Sequence, residues 1–528
     1  MKLRPYQEEA VQAIFGEWDK GRQKTLLVLP TGTGKTICFA RVIEEEVRKG
    51  KRTLMLAHRG ELLQQAAEKI EAVTGIKSAV EKAEETSLDS WKYSVVGSVQ
   101  TLMRESRLKK FKPDYFDTII VDEAHHTLAD SYQVILDYFE DANVLGVTAT
   151  PDRGDKRSLG RYFDSVAYEY SLPRAIKEGY LVPIKALTIP LDLDLTSVSS
   201  QAGDFKVGEI GTALDPYLEQ IADEMLEICK DRQTLVFLPL IATSQKFTQI
   251  LNDRGLSAKE VNGESEDRAE ILEAFDNKEF KVLCNSMLLT EGWDCPSVDC
   301  VVVLRPTRIR SLYAQMVGRG TRLNEGKEEL LLLDFLWHTE THELCHPAHL
   351  VTDSPEIAER MTEIIAESES AIDVSEIEKI AVQDVMEERE AALAAKLRAM
   401  RNRKRRLVDP LQFEFSIMEE DLADYQPTFG WEMQAPSNSQ CKALEKFGIN
   451  PEEVKTAGKA SLIIDKLMKR AASGLATPKQ IRQLEQRGFR HVGQWTKDQA
   501  TTLISLIADN HWRTPYQIDP STYKPEVH

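Results

Sequence analysis

The sequence predicts an α/β protein built from two successive parallel-sheet lobes, followed by an all-α C-terminal region with a tandem helical repeat. Three observations predict it. An apolar run of strand length, Thr25–Leu29, leads through a glycine loop into helically spaced apolar residues from Ile37 to Val47. A second series of apolar strands alternating with helices starts at Gln233, and that alternation is the pattern of a parallel sheet. Beyond Pro436, a unit of forty residues recurs without gaps.

At 528 residues the chain has room for three or four domains. Its 85 acidic side chains outnumber 67 basic ones, so phosphate binding has to come from local patches against an unfavourable global field. Seven cysteines are scattered without a CxxC pair, and no charged-then-apolar leader opens the chain. Both features point to a reduced, cytoplasmic protein. No apolar run reaches membrane-spanning length, so no membrane partner is expected.

The loop itself reads Leu29-Pro30-Thr31-Gly32-Thr33-Gly34-Lys35-Thr36. Between a strand and a helix, such a loop turns backbone N–H groups and the positive helix end toward one point, which suits a polyphosphate. Gly32 and Gly34, with Thr33 between them, let the backbone approach oxygens that a side chain would block. Lys35 is then placed to reach the β and γ phosphates of ATP, and the Thr36 hydroxyl to ligate Mg²⁺. Leu29 stands where the first glycine of the full phosphate-loop motif would be. A plain glycine turn before a helix is the alternative, and the residues downstream of the loop decide between them.

Before the loop, Leu3-Arg4-Pro5-Tyr6-Gln7 precedes a helical pattern from Glu8 to Trp18. A glutamine amide matches both the donor and the acceptor edge of adenine, which makes Gln7 a candidate base reader against the plainer reading of a surface residue. After the loop, Arg52–Ala57 reads as a strand leading into His58-Arg59-Gly60 and an amphipathic helix from Glu61 to Val73. Tyr93–Val96 is another strand, running into Gly97-Ser98-Val99-Gln100-Thr101-Leu102. The carboxyl ends of parallel strands are where such folds contact ligands. The strand Asp117–Val121 ends in two adjacent carboxylates, Asp122 and Glu123, followed by Ala124-His125-His126. That pair is expensive unless a cation or a reacting water sits there. Asp122 is suited to the Mg²⁺ shell, and Glu123 to orienting and deprotonating an attacking water.

The stretch from Gly179 to about Gly211 has few periodic signals and reads as a connector. Strands at Gln233–Leu238, Lys281–Cys284 and Asp299–Leu304 then alternate with helices, and Thr290-Glu291-Gly292-Trp293-Asp294 lies between the last two strands. Gln315-Met-Val-Gly318-Arg319-Gly320-Thr321-Arg322 comes next, on a helix. Arg319 and Arg322, three apart, share a helix face and can address one anion together, although a solvated face is the commoner use of that spacing.

Taken together, GTGKT at Gly32–Thr36, DEAH at Asp122–His125, TAT at Thr148–Thr150 and QMVGRGTR at Gln315–Arg322 resemble motifs I, II, III and VI of the superfamily-two helicases. The opening LRPYQ, LAHRGELLQQ at Leu56–Gln65 and SVQTL at Ser98–Leu102 resemble the XPB- and UvsW-like DNA helicase branch, which includes restriction-enzyme motor subunits. The resemblance runs from Met1 to Leu344. It implies two RecA-like lobes that close on ATP, with Lys35, Glu123, Gln315, Arg319 and Arg322 as catalytic groups. Gln7, Gly32–Thr36, Gly292 and Asp294 would bind the nucleotide. It further implies nucleic-acid contacts at His58, Arg59, Gln100, Thr101, Ser286 and Thr290. The implied activity is that of an ATP-dependent DNA helicase or translocase acting on single-stranded or forked DNA in replication, recombination or repair. An RNA helicase, a restriction-complex motor or an ATP-gated clamp on nucleic acid are the alternatives. Domains are expected at 1–185 and 216–350 for the lobes and 186–215 for the connector, then 351–435 for a charged helical spacer and linker and 436–528 for the repeat.

His338, His342, Cys345, His346 and His349 have metal-ligand character, but Pro347 interrupts any helix there, and no structural zinc is expected. From Ser354 to Glu390 acids dominate. Lys396, Arg398, Arg401, Arg403, Lys404, Arg405 and Arg406 come after them without an acid in the run. That run reads as either a phosphate-contacting patch or a solvated helix end. Asp409-Pro410 ends the helix, and Pro427–Pro436 reads as a linker. In the repeat, Gln440, Leu444, Glu445 and Gly448 recur as Gln480, Leu484, Glu485 and Gly488. Each unit reads as a helix ending at glycine, a loop and a second helix, and two such units are expected to pack on each other. The module resembles small helical modules of phage and mobile-element DNA proteins. Its expected role is docking, on DNA or on a protein partner.

Overall fold

The apolar runs of the first lobe form strands buried on both faces. Leu27, Met55, Ile120 and Leu145 face one hydrophobic layer, and Leu26, Leu54, Ile119 and Val144 face the other. This double burial is why the runs read as continuous rather than alternating. In a computed structural model the protein is described at all residues except 1, 58–59, 84, 89, 150–158, 195–197, 199, 202–203, 287–288, 290–292, 294, 339–343, 369, 400–409, 418–421, 423–424, 426, 428, 517, 521 and 526–528. The first sheet comprises β1 (Lys24–Val28), β2 (Thr53–Ala57), β3 (Ala79–Glu81), β4 (Ser94–Ser98), β5 (Thr118–Asp122), β6 (Asn143–Thr148) and β7 (Ser165–Glu169). Their order is β3-β4-β2-β5-β6-β1-β7, with every pair parallel. The phosphate loop thus leaves a strand inside the sheet, paired on both sides.

The second sheet comprises β8 (Ile184–Asp194), β11 (Thr234–Phe237), β12 (Ala258–Val261), β13 (Val282–Asn285), β14 (Cys300–Val303), β15 (Leu330–His338) and β16 (Ile372–Asp373). A short hairpin, β9 (Ser200–Gln201) and β10 (Asp204–Phe205), lies outside it. The order is β12-β13-β11-β14-β15-β8-β16, parallel apart from the antiparallel edge strand β16.

Here the structure corrects the expected connector at 186–215. Most of its first half is β8, which pairs with β15 from Ile184↔Leu330 to Leu191↔Trp337. The partner strand lies far along the chain, so no local pattern announces the pairing, and Pro190 reads as a breaker. Among the described residues, β8 is paired on its other side at Lys185 and Ala186 alone.

The expected spacer at 351–435 is also corrected. The helix Pro355–Ala366 packs against β8 through a stripe that includes Ile357, Met361 and Ile365. With β16 it belongs to the first compact unit, which ends at Ala381. Pro410 opens the helix Pro410–Ile417, and the helix end expected at Asp409-Pro410 falls on 400–409, outside the described residues. A proline at the first helical position gives up an N–H that has no partner anyway.

The unit Val382–His528 has its own core, where Phe413 and Ile417 join Leu444, Ile463, Leu467, Ile481, Leu484, Leu503 and Ile507. Its helices Asn438–Phe447, Ala457–Ala472, Pro478–Glu485 and Lys497–Asp509 match the two halves of the repeat. The recurring glutamines explain why it repeats. Gln440 Oε1 accepts from the Ser437 N–H at 2.8 Å, while its Nε2 donates to Ala457 O and Ser461 Oγ at 2.9 Å each. Gln480 does the same with the Thr477 N–H at 2.9 Å, Lys497 O at 3.1 Å and Thr501 Oγ1 at 2.9 Å. One side chain caps the first helix and latches the second onto it. Gly448 caps the first helix of the first copy at φ +91°, and Gly488, at φ +96°, closes the turn that follows Glu485 in the second, a conformation that glycine adopts without strain. The expected linker at 427–436 packs instead: carbonyls of Glu432 and Gln434 accept the first N–H groups of the helix Ala457–Ala472 at 3.1 and 2.7 Å.

Gln440→Ala removes the cap and the latch together and should cost about 1–2 kcal/mol. Scanning calorimetry should then resolve an earlier transition for the C-terminal unit. An unchanged transition would show that the glutamine does not hold the repeat.

Candidate nucleotide site

The phosphate loop is positioned from beneath. Gly32 and Gly34 take φ of +86° and +85°, and Gly34 immediately precedes the helix Lys35–Arg48. Between them Thr33 is fully buried. Its hydroxyl donates to Pro30 O at 2.7 Å, and its carbonyl accepts from Tyr6 Oη at 2.6 Å and Gln7 Nε2 at 3.0 Å. Gln7 Oε1 accepts the Arg4 N–H at 3.0 Å. The structure therefore places Gln7, expected from its amide to read a base, beneath the loop with both ends of that amide on main-chain groups. A Cβ on Gly34 would lie 2.6 Å from Gln7 Nε2, so that contact requires glycine. Tyr6 is held in turn by stacking on Tyr170, with ring centroids 4.3 Å apart, and by the edge of Tyr180 at 4.9 Å. Nothing in LRPYQ marks Tyr6 as an aromatic anchor, because its partners come from the end of β7 and beyond.

The carboxylates arrive from β5. The Glu123 N–H donates to Asp122 Oδ1 at 3.0 Å, and Glu123 itself adopts φ +52°, a left-handed conformation that costs a non-glycine residue about 1–3 kcal/mol. The turn brings Glu123 Oε1 to 3.7 Å from Lys35 Nζ and Oε2 to 3.7 Å from His125 Nδ1. Burial pushes the Glu123 carboxyl up, but Lys35 first, then His125, His126 and Arg319, outweigh it and hold the group below its ordinary range. Glu123 is an ionised carboxylate beside the lysine of the loop. Asp122 is the last residue of β5, and Thr36 is the second residue of the helix that follows the loop.

The other wall comes from the second lobe. The helix Arg310–Gly318 carries Gln315, which is buried, and ends against the loop. A Cβ on Gly318 would sit 2.5 Å from Thr31 Cβ, and one on Gly32 would sit 3.2 Å from Arg322 Cγ. Arg322 thus overlies the phosphate loop. Arg319 is buried and its Nη1 donates to Trp293 O at 2.6 Å. The Val182 N–H donates to Thr321 O at 2.9 Å, which ties the arginine turn to the segment entering β8. Lys327 is a positioning residue absent from the sequence-derived set. Its Nζ donates to Gly320 O at 2.6 Å and Pro296 O at 3.2 Å, and burial pushes its pKa down to about 8. A lysine in a polar loop carries no sequence signal for such a role.

The expected nucleic-acid contacts divide. Gln100 is exposed on the short helix Val99–Leu102 after β4, whereas Thr101 is buried and its Oγ1 accepts the Ala83 N–H at 3.0 Å. Ser286 comes directly after β13, with its Oγ 3.4 Å from Pro239 O. His58, Arg59, Thr290, Gly292, Asp294 and Thr150 lie outside the described residues, as do His342 and Arg401–Arg406. In the histidine segment, His346 Nδ1 lies 3.1 Å from the buried carboxylate of Asp334, and the His346 N–H donates to His349 Nδ1 at 3.0 Å. Burial pushes His349 down to about 4. Among the described residues, no group of three or more His, Cys, Asp or Glu is placed to hold a metal ion.

Comparison with known proteins matches both lobes. A family model described as "Type III restriction enzyme, res subunit" matches residues 1–153, and one described as "Helicase conserved C-terminal domain" matches residues 217–324. The chain is 32% identical over 360 residues to the Saccharomyces cerevisiae protein named "Putative ATP-dependent helicase IRC3", covering 63% of this chain and 51% of that one. It therefore spans about half the length of that curated relative. Among solved structures, "the fragment structure of a putative HsdR subunit of a type I restriction enzyme" from Vibrio vulnificus is 27% identical at a TM-score of 0.51, covering 63% of this chain and 64% of the other. The type ISP restriction-modification enzyme LlaBIII shares the fold at a TM-score of 0.54 and 15% identity, over 98% of this chain and 40% of its own.

Gly318→Ala forces the phosphate loop or the arginine turn to move by several tenths of an ångström or more. Turnover of ATP should fall by about a hundredfold while the thermal transition stays in place. Unchanged turnover would show that this contact between the lobes is not needed for catalysis.

Proposed function

Because the chain belongs to the superfamily-two helicases related to restriction-enzyme motor subunits, we propose that it hydrolyses ATP to drive movement along DNA. The observation that carries the proposal is one convergence. Lys35 and Glu123 stand 3.7 Å apart on the floor of the loop, with Arg322 over it and Gly318 against it from the second lobe.

Lys35 places a point cation beside the β and γ phosphates. Glu123, ionised and oriented by its left-handed backbone, takes the proton of the attacking water. Arg319 and Arg322 come from the opposite lobe and offset charge on the transferring phosphoryl group, as arginine fingers do. Thr36 and Asp122 would hold Mg²⁺, which when bound supplies neutralising charge to the phosphates. Since the arginines and the lysine sit on different lobes, hydrolysis is tied to closure between the lobes. Gln100 and Ser286, each just after a strand of one of the two sheets, are assigned to grip a strand that crosses both lobes. DNA is the favoured polymer. A Sulfurisphaera tokodaii relative, 25% identical, is named "DNA 3'-5' translocase XPB2", and Thr148-Ala149-Thr150 stands where RNA helicases of the DEAD-box type usually carry serine first.

The test is ATP turnover against single DNA strands of increasing length. A translocase gives stimulation that rises with length, whereas saturation at one footprint would identify a static clamp, and stimulation by RNA alone would replace the polymer. Lys35→Ala should abolish turnover. Glu123→Gln should bind ATP and hydrolyse it poorly, and normal turnover in either variant removes the site assignment. Arg322→Ala should keep ATP affinity while hydrolysis falls on the order of a thousandfold. An equal loss of affinity would make it a nucleotide-positioning group instead.

A further inference from the structure

The tandem repeat serves as its own control. Positions that build the scaffold are the same in both copies: Gln440 and Gln480, Leu444 and Leu484, Gly448 and Gly488. A set that differs falls on two stretches. Phe447 and Asn450 of the first copy correspond to Arg487 and Arg490 in the second, and Ala471, Ala472 and Ser473 correspond to His511, Trp512 and Arg513. These stretches meet in space, with the Arg487 guanidinium 5.6 Å from the centre of the Trp512 ring. The scaffold does not need these residues, since the first copy folds in the same way without them.

The backbone at the meeting point is strained. The first copy leaves its second helix through Gly474, at φ +67°, where glycine carries no penalty. The second copy leaves through His511 and Trp512, at φ +56° and +64°. Two consecutive non-glycine residues in that region are strained. The turn is fixed by the Trp512 N–H donating to Ile507 O at 2.8 Å and by Asn510 Nδ2 donating to Arg513 O at 2.9 Å. Its effect is to present the indole outward: Trp512 is 56% exposed although Arg487 lies on it, and His511 and Tyr516 beside it are exposed, as is Arg490. Neither Gln486–His491 nor Asn510–Ile518 contains an acid, in a chain whose net charge is −18.

We propose that Trp512 is a stacking platform for an unpaired base of single-stranded DNA, with Arg487, Arg490 and Arg513 on the adjoining phosphates. The inference rests on the reading of the chain as a DNA motor and adds a second contact site on the C-terminal unit. An open indole beside arginines matches the two faces of a single strand: every base has a π face, and every linkage has a charge. An acidic peptide would use the arginines and leave the ring without a partner.

The experiment measures binding of a fluorescein-labelled oligodeoxythymidine by the full-length protein, by anisotropy over a series of salt concentrations. Trp512→Ala should lose about tenfold in affinity and Trp512→Phe should retain most of it. Arg487→Ala combined with Arg490→Ala should lower affinity and flatten the salt dependence by roughly 1 to 2 in log–log slope. Met468→Ala, at a side chain 58% exposed elsewhere on the same unit, should bind like wild type. Wild-type affinity in Trp512→Ala overturns the platform, as does an equal loss in the alanine and phenylalanine variants. The motor reading is tested apart from this, by DNA-stimulated turnover of the wild-type protein. Stimulation together with normal binding by Trp512→Ala sinks the platform alone, and lost binding without any stimulation sinks the motor alone.

Discussion

Lys35 and Glu123 form a pair of opposite charges, largely buried, at the C-terminal edge of the first sheet. Taking both out of water is costly, and their mutual attraction repays it only when the surroundings are arranged to help. Much of the nucleotide site can be understood as that arrangement. β5 and β1 are separated by β6 in the sheet, so the carboxylate has to be turned across a neighbouring strand to reach the lysine. The left-handed backbone at Glu123 makes that turn, and Lys35 first, then His125, His126 and Arg319, hold its carboxyl below the ordinary range. The result is a carboxylate kept ionised next to a cation kept in place.

A second constraint is distance between lobes. The helix bearing Gln315 approaches the loop so closely at Gly318 that a single methyl would collide with Thr31. Contact at that range sets Arg322 of one lobe directly over the glycine loop of the other. It also makes the arrangement sensitive, because Lys327, Val182 and Trp293 all bond to groups of the arginine turn. Their part is to set where the arginines stand.

The C-terminal unit follows a different economy. One glutamine per copy caps a helix and latches the next, one glycine per copy takes the left-handed turn after the first helix, and a shared apolar core closes around both copies. Because so few residues specify the scaffold, the others are free to diverge. One set of differing positions brings arginines, a tryptophan and backbone strain together.

The sequence by itself determined the local chemistry and the fold class. Glycines at positive φ, a lysine and threonine at a helix start, paired carboxylates at a strand end and a repeat of capping residues are all short-range patterns, fixed by neighbours within one turn or one strand. Tertiary structure alone decided what those patterns meet. β8 was unreadable because its partner β15 comes from far along the chain, and Pro190 within it reads as a breaker. Gln7 has an amide fit for adenine, and only the fold showed that amide bound to the carbonyl of Thr33 and the N–H of Arg4. Tyr170 and Lys327 carry no motif, and their roles arise from burial against residues brought to them by the fold. Local patterns name the groups that can do chemistry. Long-range packing, which no window of sequence contains, decides which of them are brought within reach of one another.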